Sequence, residues 1–253
     1  MLNILITNDD GIHAKGLRTL IEIARPFGNI TVVAPDQPMS GMGHAITVNR
    51  PLRLNLLKKE GHYQEYACSG TPVDCVKMGQ KVVLQNQNID LLLSGINHGS
   101  NAAICVIYSG TMGAAMEGCI LGVPSLGVSL TDRSSRADFS QAVWYGRNVA
   151  EKILAQGLPK GICLNLNVPK TTDVKGLKVC TQTMGYWTKE FKRTKDASGY
   201  PIYWLTGEFA NEEPDNEQND EWALSKGYAA LVPIQIDMTA HHYLEQMKNA
   251  YEI

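Results

Sequence analysis

The chain has 253 residues, 44% of them hydrophobic, which is enough for one large α/β domain or two small ones with a substantial core. Lysine and arginine number 23 against 25 aspartate and glutamate residues, so the basic excess expected of a protein that binds DNA or RNA polymers is absent. Six scattered cysteines without a C-x-x-C pair predict reduced core thiols rather than a zinc site. Because no apolar run reaches the ~18 residues of a membrane span and no leader-like segment precedes the first strand, we expect a cytoplasmic protein without a membrane partner.

The first residues predict a β-α-β unit. Residues 3–7 are a short apolar run typical of a strand buried on both faces, and apolar residues at helical spacing follow from Leu17 to Ala24. Pro26 ends that helix, and residues 30–34 form a second buried strand. This alternation favours a parallel sheet covered by helices, with ligands bound beyond the carboxyl ends of the strands.

The middle of the chain continues the pattern after one extended segment. The later predicted elements are an extended segment at 45–57, a helix at 72–84, strands at 89–95, 124–130 and 162–168, helices after residue 108 and at 137–155, and a strand at 228–236. At least five strands of parallel type are therefore expected. The predicted fold class is α/β.

Residues 184–219 differ in character from the rest of the chain. They are aromatic, charged and interrupted by a turn-like Asp-Ala-Ser-Gly, which predicts a protruding β-hairpin followed by a surface loop. Their aromatic side chains suit an oligomer contact and ordinary packing equally well. We expect one domain over residues 1–253, with its core at 1–183 and 220–240 and a C-terminal helix at 240–253.

Asp9 and Asp10 directly follow the first buried strand. Consecutive strand residues point to opposite faces, so these two side chains converge only if the chain leaves extended geometry, which Gly11 makes easy. Two close carboxylates repel each other unless a cation lies beside them, and Mg²⁺ or Mn²⁺ would fill that role. An Asx-turn that caps the following helix is the alternative, and these residues alone do not decide between the two.

Other strand ends carry polar groups of matching chemistry. The loop at 38–44 contains the hydroxyl of Ser40, and the loop at 94–101 contains the amides of Asn97 and Asn101 between glycines. Hydroxyl and amide oxygens are hard neutral donors that suit the same cations. Each loop read alone is also explained by ordinary turn residues, and it is their joint appearance after three strands that favours a site.

Two Ser-Gly-Thr segments begin predicted helices. Ser109, Gly110 and Thr111 would present free backbone N–H groups and the positive end of a helix dipole to a phosphate. The similar segment at 68–74 is better explained as a capping box closed by Asp74. Fingerprints of dinucleotide binding, of a Walker lysine and of a serine-hydrolase elbow are incomplete or missing.

The ordered segments TNDDG, VVAPDQPMSGMGHAIT, SGTPVDCV, DLLLSGINHGSN and YSGTMGAAMEG resemble the SurE family of survival-protein nucleotidases. The match is close over about residues 1–130, and ICLNLNVP and DMTAHHY resemble later family segments. The resemblance implies a Rossmann-like three-layer sandwich with a mostly parallel sheet, a protruding hairpin and a C-terminal extension. It also implies a homodimer or homotetramer formed through the hairpin and an exchanged C-terminal segment.

The resemblance implies a metal-dependent phosphatase that hydrolyses nucleoside 5′- or 3′-monophosphates, with activity on short polyphosphate in some members. The metal ligands carried over are Asp9, Asp10, Ser40 and Asn97. Hydrolysis would use a water activated by Mg²⁺ or Mn²⁺, with Asp9 or Asp10 as a candidate proton acceptor. The groups assigned to phosphate or substrate binding are Asn8, Gly41, Asn101, Ser109, Gly110 and Thr111.

Two other functions stay open at the level of sequence. A metal-dependent nucleotide-sugar transferase would use the acid pair for a diphosphate, and a non-catalytic regulator would bind nucleotide without releasing phosphate. The sequence leaves undecided the preferred base and sugar position, the choice between Mg²⁺ and Mn²⁺, the oligomer size, and the general base.

Overall fold

A computed structural model describes residues 1–252 of the chain. In chain order the elements are β1 (Leu2–Thr7), α1 (Lys15–Ala24), β2 (Gly28–Pro35), β3 (Leu54–Glu60), β4 (Tyr63–Cys68), α2 (Pro72–Met78), β5 (Leu91–His98), α3 (Cys105–Tyr108), α4 (Gly110–Ile120), β6 (Ser125–Leu130), α5 (Ser140–Gln156), β7 (Ile162–Val168), β8 (Leu177–Val179), β9 (Gly185–Thr188), β10 (Phe191–Lys195), β11 (Pro201–Leu205), β12 (Glu208–Asn211), α6 (Asp220–Ser225), β13 (Ala229–Gln235) and α7 (Leu244–Tyr251).

Nine strands form one mixed sheet in the order β3-β4-β2-β1-β5-β6-β7-β13-β8. The six consecutive strands from β4 to β7 in that order run parallel, and β3 and β13 pair antiparallel with β4 and β7. In the middle of the sheet, Leu5 lies opposite Thr31 of β2 and Leu92 of β5. The predicted mostly parallel sheet is confirmed.

Helices cover both faces of this sheet. On one face α1 and α5 pack on a buried cluster that includes Ile4 and Ile6, and on the other α2 and α4 pack on a cluster that includes Leu5 and Val33. Because successive strand residues point to opposite faces, the unbroken apolar run of β1 contributes to both layers. The fold is a Rossmann-like three-layer α/β sandwich.

The predicted hairpin and C-terminal extension are both present. Within residues 184–219, β9 pairs with β12 and β10 pairs with β11, both antiparallel, and the turn between β10 and β11 is closed by Asp196 N donating to Tyr200 O at 2.9 Å. No side chain of α7 is buried. Ile253, the last residue of the predicted C-terminal helix, lies outside the described residues.

Two strands of the sheet, β4 and β8, are not among those predicted from the sequence, and two predicted elements differ most from the structure in their bounds. The helix predicted at 72–84 is α-helical only to Met78 and continues as a π-helical turn, with Leu84 N donating to Gly79 O at 2.9 Å. The extended segment predicted at 45–57 is a strand only from Leu54, and Pro51, which lacks the N–H that a sheet ladder requires, lies outside that strand. All six cysteines are free thiols, and five of them are buried as predicted, whereas Cys105 is only half-buried because it lies on a cavity wall. Within residues 1–252 there is no helix whose length and apolar character would suit it to crossing a membrane.

Candidate active site

The loops after β1, β2 and β5 surround one cavity of about 760 Å³ at the carboxyl edge of the sheet. Parallel strands end on the same side of a sheet, so segments distant in sequence meet there. The predicted site residues that line this cavity are Asp9, Ser40, Gly41, Asn97, Asn101 and Ser109. The structure therefore brings together most of the groups singled out from the sequence.

The first residues of α4 contact the side chain of Asp9, which lies in the loop after β1. Its side chain is buried, and Thr111 Oγ1 donates to Asp9 Oδ1 at 2.7 Å. Gly110 makes this approach possible, since a β-carbon there would lie 2.9 Å from the Asp9 Cβ. Gly11 follows the acid pair at φ 95°, so the chain leaves extended geometry where the sequence predicted it would.

Asp10 connects the loop after β1 to the end of β5, because His98 N donates to Asp10 Oδ2 at 3.4 Å. Burial raises the pKa of Asp9 to about 6, the hydrogen bond from Thr111 opposes that rise, and the charge of Asp10 adds to it. Burial also raises the pKa of Asp10, against the opposing effect of the His98 backbone N–H. Two neighbouring carboxylates that are costly to ionise are the setting in which a bound cation stabilises the charged form.

The loop that carries Ser40 is fixed at both ends by backbone hydrogen bonds. Met39 N donates to Asp9 O at 2.7 Å, and Gly43 N donates to Tyr108 O at 3.0 Å. The side chain of Ser40 is exposed and lines the cavity. The loop is therefore attached to the same two segments that hold the acid pair and begin α4.

A buried carboxylate on α4 fixes the far end of this loop. Glu117, whose side chain is 3% exposed, pairs with His44 at 3.0 Å and with Lys77 of α2 at 2.6 Å. Burial alone would raise the pKa of Glu117, but hydrogen bonds from His44 and Lys77 more than offset it, and its pKa lies below the usual value. This ion cluster ties the Ser40 loop to both helices on that face of the sheet.

Gly113 is expected to be intolerant of a side chain, because a β-carbon there would lie 2.2 Å from Gly43 O. Gly113→Ala should push the Ser40 loop away from α4 and weaken Mn²⁺ binding on the order of tenfold or more, which calorimetric titration would measure. Ala114→Gly at the next, equally buried helical position is the control for a general loss of helix stability. Equal Mn²⁺ affinity in the two variants would show that the position of the Ser40 loop does not affect Mn²⁺ binding.

The amide of Asn97 is oriented by its own loop. Asn97 Nδ2 donates to Gly99 O at 2.9 Å, so the oxygen Oδ1 is left to act as an acceptor or metal ligand in the cavity. Asn101 is buried, and its Nδ2 donates to Ser129 Oγ at 2.8 Å. Both amides thus have one defined orientation.

Asn8, Gly110 and Thr111 lie beside the cavity rather than on its lining, whereas Ser109 lies on the lining. Asn8 is 1% exposed, with its Nδ2 donating to Gly11 O at 2.9 Å, while its Oδ1 is buried without a hydrogen-bond partner within residues 1–252. Gly110 and Thr111 lie behind Asp9, at the N-terminus of α4. Ser109 is the N-cap of that helix, and its Oγ accepts a hydrogen bond from Met112 N at 3.1 Å.

The predicted capping box of Thr71 and Asp74 is confirmed at α2.

Several lining residues carry no signal in the sequence. Tyr108, Arg133, Trp187 and Glu190 complete the wall of the cavity, and the last two come from the protruding hairpin. His98 also lines the cavity, with its ring stacked edge-on against Phe139 at 5.0 Å between centroids. Hairpin aromatics had suggested oligomer contacts or simple packing, and only the tertiary fold shows that part of the hairpin covers the cavity.

The side chains predicted as metal ligands bring oxygen atoms to this edge: the carboxylates of Asp9 and Asp10, the amide of Asn97 and the hydroxyl of Ser40. Across residues 1–252 no three or more histidine, cysteine, aspartate or glutamate side chains cluster in a way that suits a metal. Oxygen donors of this kind suit Mg²⁺ or Mn²⁺ and not Zn²⁺, which favours nitrogen and sulfur.

Comparison with known proteins gives a consistent result. The family model described as Survival protein SurE matches residues 4–189. A protein of Bacteroides fragilis named 5′-nucleotidase SurE is 48% identical over 246 residues, covering 97% of this chain and 96% of its own length. A protein of Flavobacterium psychrophilum with the same name is 49% identical over 249 residues, covering 97% and 96%.

Among solved structures, the crystal structure of the SurE protein from Aquifex aeolicus superposes with a TM-score of 0.84 at 34% identity. The similarity covers 98% of this chain and 99% of that one, so the hairpin and C-terminal extension are included. With a matching family model and relatives near half identity over almost the full length, the chain belongs to the SurE family.

Proposed function

We propose that this protein is a metal-dependent 5′-nucleotidase that hydrolyses nucleoside monophosphates to nucleoside and phosphate. The observation that carries the proposal is the cavity that buried Asp9, Ser40 and Asn97 all line, with Asp10 beside it. Its relatives named 5′-nucleotidase SurE support the same activity. We extend the proposal to 3′-monophosphates and short polyphosphate, because each of them presents the same terminal phosphoryl oxygens to the cation and the N–H donors.

The residues present fit a hard divalent cation. Asp9 and Asp10 would supply the negative charge, and Ser40 Oγ and Asn97 Oδ1 would supply neutral oxygens. A bound Mg²⁺ or Mn²⁺ would stabilise charge on the phosphoryl oxygens and lower the pKa of a coordinated water. The raised pKa of Asp9 in the structure supports this assignment, because a nearby cation would favour its ionised form.

The chain's own groups would bind the phosphoryl oxygens and move the proton. At the start of α4 the backbone N–H of Gly110 precedes the first intrahelical bond, which Gly113 N makes to Ser109 O, while the N–H of Thr111 faces the Asp9 carboxylate and lowers its pKa. The N–H groups of Gly110 and Gly41 and the Asn101 amide would hold the phosphoryl oxygens as charge shifts to the leaving group. Asp9 or Asp10 would accept the proton lost by the attacking water.

The aromatic walls of the cavity suit the nucleoside part of the substrate. Tyr108 and Trp187 both line it, and base stacking on an aromatic ring contributes on the order of 1–3 kcal/mol. We expect Trp187→Ala to raise KM for AMP about tenfold or more and to leave KM for ribose 5-phosphate, which has no base, nearly unchanged. An equal rise for both substrates would assign Trp187 to hairpin folding alone, since its ring also packs edge-on against Phe209.

We also propose a homodimer or homotetramer. Aromatic and aliphatic side chains of β10 and β11, including Phe191, Tyr203, Trp204 and Leu205, are more than half exposed in the single chain, as is typical of a contact surface.

The experiment that tests the function is phosphate release from a panel of 5′- and 3′-monophosphates, with Mg²⁺, with Mn²⁺ and with chelator. We expect release from 5′-monophosphates with metal and none with chelator. A nucleotide-sugar transferase would need an acceptor before consuming nucleotide, and a regulator would bind AMP without releasing phosphate. Unchanged release in the presence of chelator would contradict the proposed metal dependence.

A further inference from the structure

A buried group of amides and one hydroxyl lies directly behind the cavity. It consists of Asn101, Ser129, Asn165 and Asn167, none of which is more than 5% exposed. Of the four, Asn101 lines the cavity, and the other three lie behind it. Three of the four hydrogen bonds that link these side chains and the Asn101 backbone involve Asn101.

The positions of Asn165 and Asn167 follow from the alternation of β7. Cys163, two residues before Asn165, packs in the apolar cluster with Met112 and Met116 of α4. Residues two apart in a strand share a face, so Asn165 and Asn167 continue that row towards the carboxyl edge of the sheet. Along this face of β7 the side chains change from apolar at Cys163, which packs against α4, to amides at Asn165 and Asn167, nearer the cavity.

These two amides bind the backbone of Asn101 on both sides. Asn101 N donates to Asn167 Oδ1 at 2.8 Å, and Asn165 Nδ2 donates to Asn101 O at 2.8 Å. Asn167 Nδ2 donates to Asn165 Oδ1 at 2.9 Å, so the two side chains also fix each other. Asn101, 64 residues before Asn165 in the sequence, is thereby hydrogen-bonded through both its backbone N–H and its backbone carbonyl.

Ser129 completes the network from the neighbouring strand. It lies opposite Asn167 in the β6 and β7 pairing, and its Oγ accepts from Asn101 Nδ2 at 2.8 Å. One of the two amide hydrogens of Asn101 is thus directed away from the cavity. The other stays free to donate to a bound oxyanion.

Burying four polar side chains is costly unless all of them are hydrogen-bonded, whereas apolar residues of similar size would pack there without that requirement. Stability alone therefore does not account for the network. We propose that Ser129, Asn165 and Asn167 are positioning residues that fix the backbone and amide orientation of Asn101, so that its free N–H is aimed at the phosphate before the substrate arrives. This inference rests on the proposed function, since it assigns Asn101 to the phosphate.

Ser129→Ala tests the proposal with the smallest change in volume. The readouts are the dissociation constant for inorganic phosphate in the presence of Mn²⁺, KM and kcat for AMP, and the Mn²⁺ affinity. We expect phosphate binding to weaken on the order of five- to tenfold and Mn²⁺ affinity to stay within about twofold of the wild type. Ser125→Ala is the matched control, because Ser125 lies on the same strand, is equally buried, and donates to Val123 O at 2.8 Å, outside the network.

A double-mutant cycle shows whether Ser129 acts through Asn101. In an Asn101→Ala background, Ser129→Ala should have no further effect on phosphate binding. Full additivity of the two changes, or a Ser129→Ala variant that binds phosphate as tightly as Ser125→Ala does, would overturn the proposal. Phosphate binding can be measured whether or not the wild type hydrolyses AMP, so failure of the nucleotidase proposal is read separately, from the wild-type turnover.

Discussion

Asp9→Asn and Asp10→Asn are each expected to lower kcat/KM for AMP by on the order of 10³ or more, equivalent to about 4 kcal/mol of transition-state stabilisation. Each substitution replaces a carboxylate with a neutral amide of the same shape. The cation site loses half its negative charge, and one candidate proton acceptor is removed. The fold should survive, because the amide oxygen introduced at position 9 would still accept the hydrogen bond from Thr111 Oγ1.

Steady-state phosphate release at saturating Mn²⁺ measures this effect, with circular dichroism as the check on folding. Asp36→Asn is the matched control, since Asp36 follows the neighbouring strand β2 at the same edge of the sheet but has an exposed side chain. It should keep turnover close to that of the wild type. Turnover by Asp9→Asn at the level of Asp36→Asn would refute the assignment of the acid pair.

The same Asp9→Asn change is expected to stabilise the metal-free protein at pH 8. The folded pKa of Asp9, about 6, lies above the ordinary aspartate value of 3.8, so the ionised side chain destabilises the fold at pH above 6. This penalty is absent below the unfolded pKa and grows as the pH rises to the folded pKa. Replacing the carboxylate should recover on the order of 2–3 kcal/mol, or about 5–10 °C in Tm.

Thermal unfolding with and without metal distinguishes the cost of ionising buried Asp9 from a general change in stability. Addition of Mn²⁺ should raise the Tm of the wild type, because a ligand that binds only the folded state stabilises it. Asp9→Asn should start from the higher Tm and respond little to Mn²⁺, while Asp36→Asn should behave like the wild type in both conditions. A metal-free Asp9→Asn protein that unfolds at lower temperature than the wild type would contradict the stated cost of burying Asp9.

Local sequence pattern was sufficient to predict the strands β1, β2, β5, β6, β7 and β13 of the sheet, but not β4 or β8. The apolar run of β1 and the alternation in β7 place Leu5 and Cys163 in the core, and the predicted bounds of β7 match those observed. Polar residues at strand ends also predicted much of the cavity, because parallel strands bring their carboxyl ends to one edge. Asp9, Ser40 and Asn97 needed no further information to be placed on that edge.

The features that the sequence did not predict depend on contacts between distant segments of the chain. Trp187 and Glu190 reach the cavity only because the hairpin packs over it, and no local period encodes that placement. Asn165 resembles an ordinary strand residue in the sequence, and its bond to Asn101 appears only when β7 lies beside the loop after β5. The helix predicted at 72–84 shows the same limit, since its apolar spacing does not distinguish an α-helical turn from the π-helical turn at Gly79–Val83.

The most direct test is the location of Mn²⁺ in crystals grown with the metal, read from anomalous scattering. We expect one strong peak at the carboxyl edge of the sheet, with oxygen atoms of Asp9, Asp10, Ser40 and Asn97 as its protein ligands. A well-occupied ion held elsewhere, with Asp9 and Asp10 left without metal, would contradict the proposal that these four side chains form the catalytic metal site.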